Sequence, residues 1–124
     1  MTILGVHHVQ ITVAKNEEAA ARAFYLGVLG LPEVEKPTSL KDRGGFWLQV
    51  GDRAVHVGLE DGVDRWQTKG HIAYQVDDLA HWRSVMTAAG LTVLESIPIP
   101  GYERFEFRDP FGNRVEMIME LANK

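Results

Sequence analysis

The chain has 124 residues, 45% of them hydrophobic and 24% charged, with a net charge of −4 and no cysteine. This composition is typical of one folded domain, and the acidic balance argues against non-specific nucleic-acid binding. Without thiolates, any metal must bind to His, Asp or Glu. No apolar run could span a bilayer and the N-terminus lacks a signal-peptide pattern, so we expect a soluble cytoplasmic protein with no membrane partner.

The first predicted strand returns later in the chain. Residues 5–13, GVHHVQITV, alternate apolar and polar side chains, and residues 70–76, GHIAYQV, show the same alternation. Aligning the two stretches places His71 on His8, whereas His7 falls on a glycine. The repeat therefore indicates that His8 is the histidine with a specific role.

A helix is predicted after each of these strands. Asn16 is the expected N-cap of the first helix, and Asp77 or Asp78 that of the second. Gly30 and Gly90 are expected to end the two helices, because glycine readily takes the left-handed conformation found at helix C-termini.

Three short strands are expected after each helix, at 33–35, 46–50, 54–59, 92–96, 103–108 and 114–120. Both halves therefore read β-α-β-β-β. We predict an α+β fold in which module one, residues 3–60, and module two, residues 69–121, are joined by a polar linker at 60–69. Since either half alone would be marginally stable, the two modules are expected to share one core.

The repeat also aligns candidate metal ligands. His56 and Glu116 lie equally far beyond their helix-ending glycines, and strand periodicity puts both on the face away from the helices, together with His8 and His71. A pseudo-twofold axis would bring the four side chains together. Isolated polar residues on a solvated sheet are the alternative, but the matched positions favour one divalent ion. Zn, Ni, Co, Mn(II) or Fe(II) suits these ligands better than Mg or Ca.

Other polar residues on this face are candidates for substrate contacts. Arg104 is a candidate clamp for a substrate carboxylate or phosphate, and Glu106 a candidate general base or partner of the metal site. A salt-bridge ladder on a wet sheet face explains this pair equally well. Gln10 and Gln75 are also expected on this face. Tyr102 lies on a glycine-containing turn, where it either closes over a ligand or only fills the turn.

Nearly the whole chain resembles the vicinal oxygen chelate superfamily, through the stretches HHVQITV, AFYLGVLGLPEV, GHIAYQVDDL, AAGL and DPFGNRVEMI. This superfamily includes glyoxalase I, extradiol dioxygenases, fosfomycin-resistance thiol transferases and bleomycin-resistance proteins. The resemblance implies two βαβββ modules that form a cupped mixed sheet around a divalent metal. It also implies that first and last strands supply the metal ligands, which places them on His8, His56, His71 and Glu116.

The resemblance further implies a metal-dependent lyase- or isomerase-like enzyme, which acts on a small substrate chelated through neighbouring oxygens and passes through an enediolate-type intermediate. Glu116 is then a catalytic carboxylate, with Glu106 as a second candidate. Glyoxalase I, however, has a glutamate at the position of His56. Two alternatives therefore stay open: an Fe(II) extradiol-type ring-cleaving dioxygenase, whose ligands are His8, His71 and Glu116, and a non-catalytic drug- or metabolite-binding resistance protein. A homodimer is expected, with the modules paired within or between chains.

Overall fold

The computed structural model describes residues 1–122. The chain forms two compact units, residues 1–63 and residues 64–124, each with four strands. In the first unit the strands are β1 His8–Val13, β2 Glu33–Val34, β3 Phe46–Val50 and β4 Arg53–Leu59. In the second they are β5 His71–Gln75, β6 Leu94–Glu95, β7 Tyr102–Arg108 and β8 Arg114–Glu120.

The two sheets have the same topology. Their strand orders are β1-β4-β3-β2 and β5-β8-β7-β6. The first strand of each unit pairs in parallel with the last, and the remaining neighbours are antiparallel. A parallel pair needs a crossover connection, which the helix after the first strand begins. The predicted α+β fold of two βαβββ modules is confirmed.

Each sheet buries the alternate residues that face its helix. In the first unit Phe46 and Val57 are 1% exposed, and the Arg22 guanidinium lies 4.8 Å from the centre of the Phe46 ring. In the second unit Phe105 is fully buried, and Arg83 of the helix covers its ring at 5.1 Å. Because side chains alternate along a strand, the residues between these positions lie on the opposite face, where the predicted site residues stand.

The first helix begins differently from the prediction. A 3-10 turn, Lys15–Glu17, precedes the α-helix α1, Glu18–Arg22. Asn16 is exposed within this turn and is not the N-cap. Instead, the Asp61 carboxylate accepts a hydrogen bond from the Lys15 backbone N–H at 2.9 Å. A partner so distant in the sequence cannot be read from a local capping pattern.

The same helix also ends in an irregular form. Residues Ala23–Val28 form a π-helical turn, which is wider than an α-helical turn. Phe24 and Tyr25 are consecutive, yet they are only 5% and 0% exposed. Both aromatic rings are therefore buried at this wider turn. The helix then ends at Gly30, whose φ of 70° is the left-handed conformation that was predicted for it.

The second helix follows the prediction closely. Helix α2, Leu79–Ala88, begins after Asp78, whose carboxylate accepts from the His81 backbone N–H at 3.1 Å. It ends before Gly90, which has a φ of 82°. Among the described residues, no helix has the length and apolar character needed to cross a membrane.

Candidate metal and substrate site

Three side chains of metal-ligand type meet on the sheet of the second unit. Glu106 of β7 lies opposite Glu116 of β8, and His71 begins the neighbouring strand β5. One candidate ligand atom from each residue lies within 4.8 Å of the other two, and residues 1–122 contain no other such group of three. This His71–Glu106–Glu116 cluster contains two predicted ligands and the predicted second catalytic carboxylate.

The backbone orients the His71 ring toward this cluster. Its Nδ1 lies 3.0 Å from the Lys69 carbonyl oxygen. Because a carbonyl only accepts, the Nδ1–H donates to it. Nε2 lies 3.1 Å from Oε1 of Glu116 and is therefore the ring atom that faces the carboxylates. A carbonyl that holds one nitrogen and turns the other toward a ligand cluster is the usual environment of a metal-binding histidine.

Two arginines balance the charge of the two carboxylates. Glu116 is only 4% exposed, and its Oε1 accepts from Arg104 Nη1 at 3.2 Å. Glu106 accepts from Arg114 through both oxygens, at 2.8 and 2.9 Å. Arg104 is itself fixed by two hydrogen bonds to the Ile97 carbonyl, at 2.6 and 3.0 Å. The cross-strand ion pairs expected as the alternative are therefore present, and they surround the ligand-type cluster.

Three rings stack on the sheet of the first unit. His56 of β4 lies opposite Trp47 of β3, and their rings are parallel with centroids 3.9 Å apart. From β1, on the other side of β4, His8 stacks on His56 with a centroid distance of 4.2 Å. Burial lowers the pKa of His56 below its ordinary value, and the nearby His8 and His7 rings lower it further. The structure thus brings the two predicted ligands of this unit into contact.

A cavity of about 500 Å³ opens beside this ring stack. Gln10, a predicted substrate residue, lines it together with the three stacked rings. Its side chain lies over Gly58, where a Cβ would stand 2.8 Å from Gln10 Nε2, so the glycine makes room for the amide. The remaining predicted substrate residues, Gln75 and Tyr102, are exposed on β5 and at the start of β7.

The four-ligand centre itself stays a prediction. The structure places one predicted pair in each unit, His8 with His56 and His71 with Glu116. The chemistry of the donors suits a transition metal, because imidazole nitrogens and carboxylate oxygens are ligands that Zn, Mn and Fe(II) accept. The carbonyl that holds His71 is a further feature of such sites.

The sequence interpretation missed the residues that support these ligands. It predicted the strand 46–50 but assigned none of its residues to the site, although the strands 46–50 and 54–59 are joined closely enough to form a hairpin. In the structure Val50 pairs with Arg53, and this register places Trp47 opposite His56. The contributions of Arg114 and of the Lys69 carbonyl depend on side-chain and backbone geometry, for which the sequence carries no comparable signal.

The fold and the cluster define a class of protein: two βαβββ units that carry ligand-type side chains on equivalent strands. Residues 5–117 match the model of the Glyoxalase/Bleomycin resistance protein/Dioxygenase superfamily. The chain belongs to this superfamily.

Solved structures agree with this assignment. A glyoxalase family protein from Bacillus anthracis is 33% identical, with a TM-score of 0.87, and the match covers 97% of this chain and 98% of that one. Lactoylglutathione lyase from Agrobacterium tumefaciens is 20% identical, with a TM-score of 0.71 and 95% of each chain covered. The fosfomycin resistance protein FosX from Listeria monocytogenes, complexed with Mn(II) and sulfate, is 16% identical, with a TM-score of 0.73 and coverage of 98% and 93%. The last two establish likeness of fold alone. No curated protein sequence matches the chain.

Proposed function

We propose that this protein is a divalent-metal-dependent enzyme of the glyoxalase and dioxygenase type, with lyase- or isomerase-like chemistry on a small substrate that offers two neighbouring oxygens. The observation that carries the proposal is the His71–Glu106–Glu116 cluster, with its oriented imidazole and its buried carboxylate. The match to the superfamily supports it.

The proposed ligands are His71 and Glu116 in one unit and His8 and His56 in the other. When bound, the metal would supply Lewis-acid stabilisation of negative charge on the substrate oxygens. Glu106 is proposed as the group that moves a proton, since it lies opposite Glu116 on the neighbouring strand. Arg104, Gln10, Gln75 and Tyr102 are proposed to contact the substrate.

Metal binding tests this assignment. Protein purified without a histidine tag is stripped with a chelator, and its Mn(II) affinity is measured for wild type and for the alanine variants of His8, His56, His71 and Glu116. We expect each variant to lose at least about tenfold in affinity. His81→Ala is the matched control, because His81 is exposed on α2. Wild-type affinity in both His8→Ala and Glu116→Ala would contradict the site.

Oxygen dependence separates the proposed chemistry from its alternatives. The metal-loaded protein is assayed on 2-oxoaldehyde thiol adducts and on catechols, with and without oxygen. We expect turnover without oxygen uptake. Catechol cleavage coupled to oxygen consumption by the Fe(II) form would favour the ring-cleaving dioxygenase. Tight ligand binding without any turnover or metal requirement would favour a resistance-type binding protein.

A further inference from the structure

We propose that the cavity of the first unit recognises a small organic oxyanion, a carboxylate or a phosphonate, which is held by Lys36 and Arg43. The cavity lies beside His8 and His56, so this inference deepens the proposed function by giving the substrate class of that site. Anion binding by this cavity is independent of the proposed function; only the statement that the anion is the substrate rests on it.

The wall of the cavity is positively charged. Lys36 and Arg43 both line the cavity, and no acidic residue is among its lining residues. The chain as a whole has a net charge of −4, so the positive charge of this wall is opposite in sign to that of the whole protein. Two cations beside a cavity of this size are suited to a small anionic ligand.

Hydrogen bonds fix the segment that carries these two cations. The segment between the two cations contains a 3-10 helix, Thr38–Arg43, and Lys36 Nζ donates to the Gly44 carbonyl at 2.8 Å, which ties the residues on either side of this helix together. The Gly45 N–H donates to Glu18 Oε1 at 2.9 Å. Gly45 has a φ of 77°, and a Cβ there would lie 2.2 Å from the Val57 carbonyl oxygen, so this point of the loop lies directly against β4.

The Arg43 guanidinium has donors available for a ligand. Among the described residues it makes no hydrogen bond or ion pair, whereas its neighbour Lys41 is paired with Glu35 at 2.6 Å. Lys36 uses one of its hydrogens on Gly44 and keeps two. Glu18, whose charge acts on Lys36, already accepts from Gly45 and Arg22. A guanidinium with free donors beside a fixed ammonium can bind two oxygens of one anion.

The rest of the wall indicates what the anion is attached to. Leu40, Leu59 and the indole of Trp47 line the same cavity. These apolar groups favour a ligand with a compact apolar body behind its charged end. An aromatic carboxylate or phosphonate combines both features.

Matched probes test the inference. Binding of benzoate, phenylphosphonate and uncharged benzamide to the full chain is measured by ligand-observed NMR. Two forms of the protein are compared, one free of metal and one loaded with Zn, which is diamagnetic. We expect at least one of the two anions to bind about tenfold more tightly than benzamide, and Arg43→Ala to remove about tenfold of that affinity. The tighter of the two anions identifies the preferred oxyanion. Equal binding of benzamide and both anions overturns the proposal, as does an unchanged affinity in Arg43→Ala.

Control variants keep the result specific. Lys41→Ala removes a cation from the same loop outside the cavity lining and should change affinity less than twofold, while Arg43→Lys should recover part of the loss. If the chain prefers anions but binds no metal, the proposed function is contradicted and the anion site stands. If the chain binds metal but shows no preference for anions, the anion site is contradicted and the proposed function stands.

Discussion

At the scale of single residues, the site depends on how a buried carboxylate is neutralised. Glu116 is 4% exposed; its Oε1 accepts from Arg104 and also lies 3.1 Å from Nε2 of His71. An unpaired buried carboxylate would be costly, so these contacts stabilise it in the metal-free chain. A cation that binds Glu116 at this oxygen would compete with Arg104 for it.

This competition gives a prediction for Arg104→Met. The substitution keeps an apolar stem but removes the guanidinium, so we expect Mn(II) to bind about tenfold more tightly, because the metal no longer displaces a charge-assisted hydrogen bond. Isothermal titration calorimetry of chelator-stripped protein measures the change. The control is Arg83→Met, since Arg83 pairs with Glu95 on the helix side of the sheet. Weaker or unchanged binding in the Arg104 variant would count against a metal at Glu116.

The sequence could predict the ligand candidates but not their partners. The alternation of side chains and the repeat of the modules pointed to His8, His56, His71 and Glu116, because strand periodicity alone assigns a residue to a face. Partners such as Arg114 or the Lys69 carbonyl depend on rotamers and on the path of the linker. Neither is encoded in a local pattern.

At the scale of secondary-structure elements, the predicted strands are all present, and only their ends differ. Strand β3 has the predicted bounds, whereas β2 and β6 are two residues each, shorter than predicted. The first helix was predicted to begin at an Asn16 N-cap, but it begins with a 3-10 turn and ends with a π-helical turn. Its start is held by a distant residue, Asp61, which accepts from the Lys15 backbone N–H. Local capping and propensity patterns do not contain such long-range contacts.

Helix α1 is also joined to the loop before β3 through Glu18, and this contact should depend on pH. The Gly45 N–H, and after it Arg22, lowers the pKa of Glu18 below its ordinary value of 4.5, although burial opposes the shift. A lowered carboxyl pKa contributes stability that is present above the ordinary value and is lost as the pH falls through the lowered value.

We therefore expect Glu18→Gln, which keeps an acceptor for Gly45 but loses the charge, to be less stable than wild type near neutral pH. The difference should shrink as the pH falls below about 4.5. Urea unfolding at a series of pH values measures it. Glu35→Gln is the control, because that side chain is 80% exposed and its ion pair with Lys41 contributes little. A constant difference at every pH would refute the electrostatic explanation.

At the scale of the whole molecule, the two units have the same topology, and each of their sheets is open, with an edge strand on either side. Strand β1 pairs with β4 alone and β5 with β8 alone. Val9 of β1 is 36% exposed, and Val6 just before it is 61% exposed. Proteins usually cover such edges and apolar side chains, which favours an assembly of more than one chain.

We predict a homodimer in which module one of one chain and module two of its partner complete each metal site. Sedimentation should give a dimer. When His8→Ala and Glu116→Ala chains are mixed and allowed to exchange, one site of the heterodimer loses both ligands and the other keeps all four, so metal binding should partly return. A monomer would reject the assembly, and a dimer without this recovery would reject sharing of the site.

The ring stack has a spectroscopic consequence. Trp47 is in face-to-face contact with His56, and the other two tryptophans, Trp66 and Trp82, belong to residues 64–124. Replacing those two with phenylalanine leaves a single tryptophan, which can be excited selectively at wavelengths beyond the tyrosine absorption band and which contacts a ring that we propose as a ligand. Its emission should be quenched as a paramagnetic ion binds. The chain therefore contains its own optical reporter for the half of the site in its first unit.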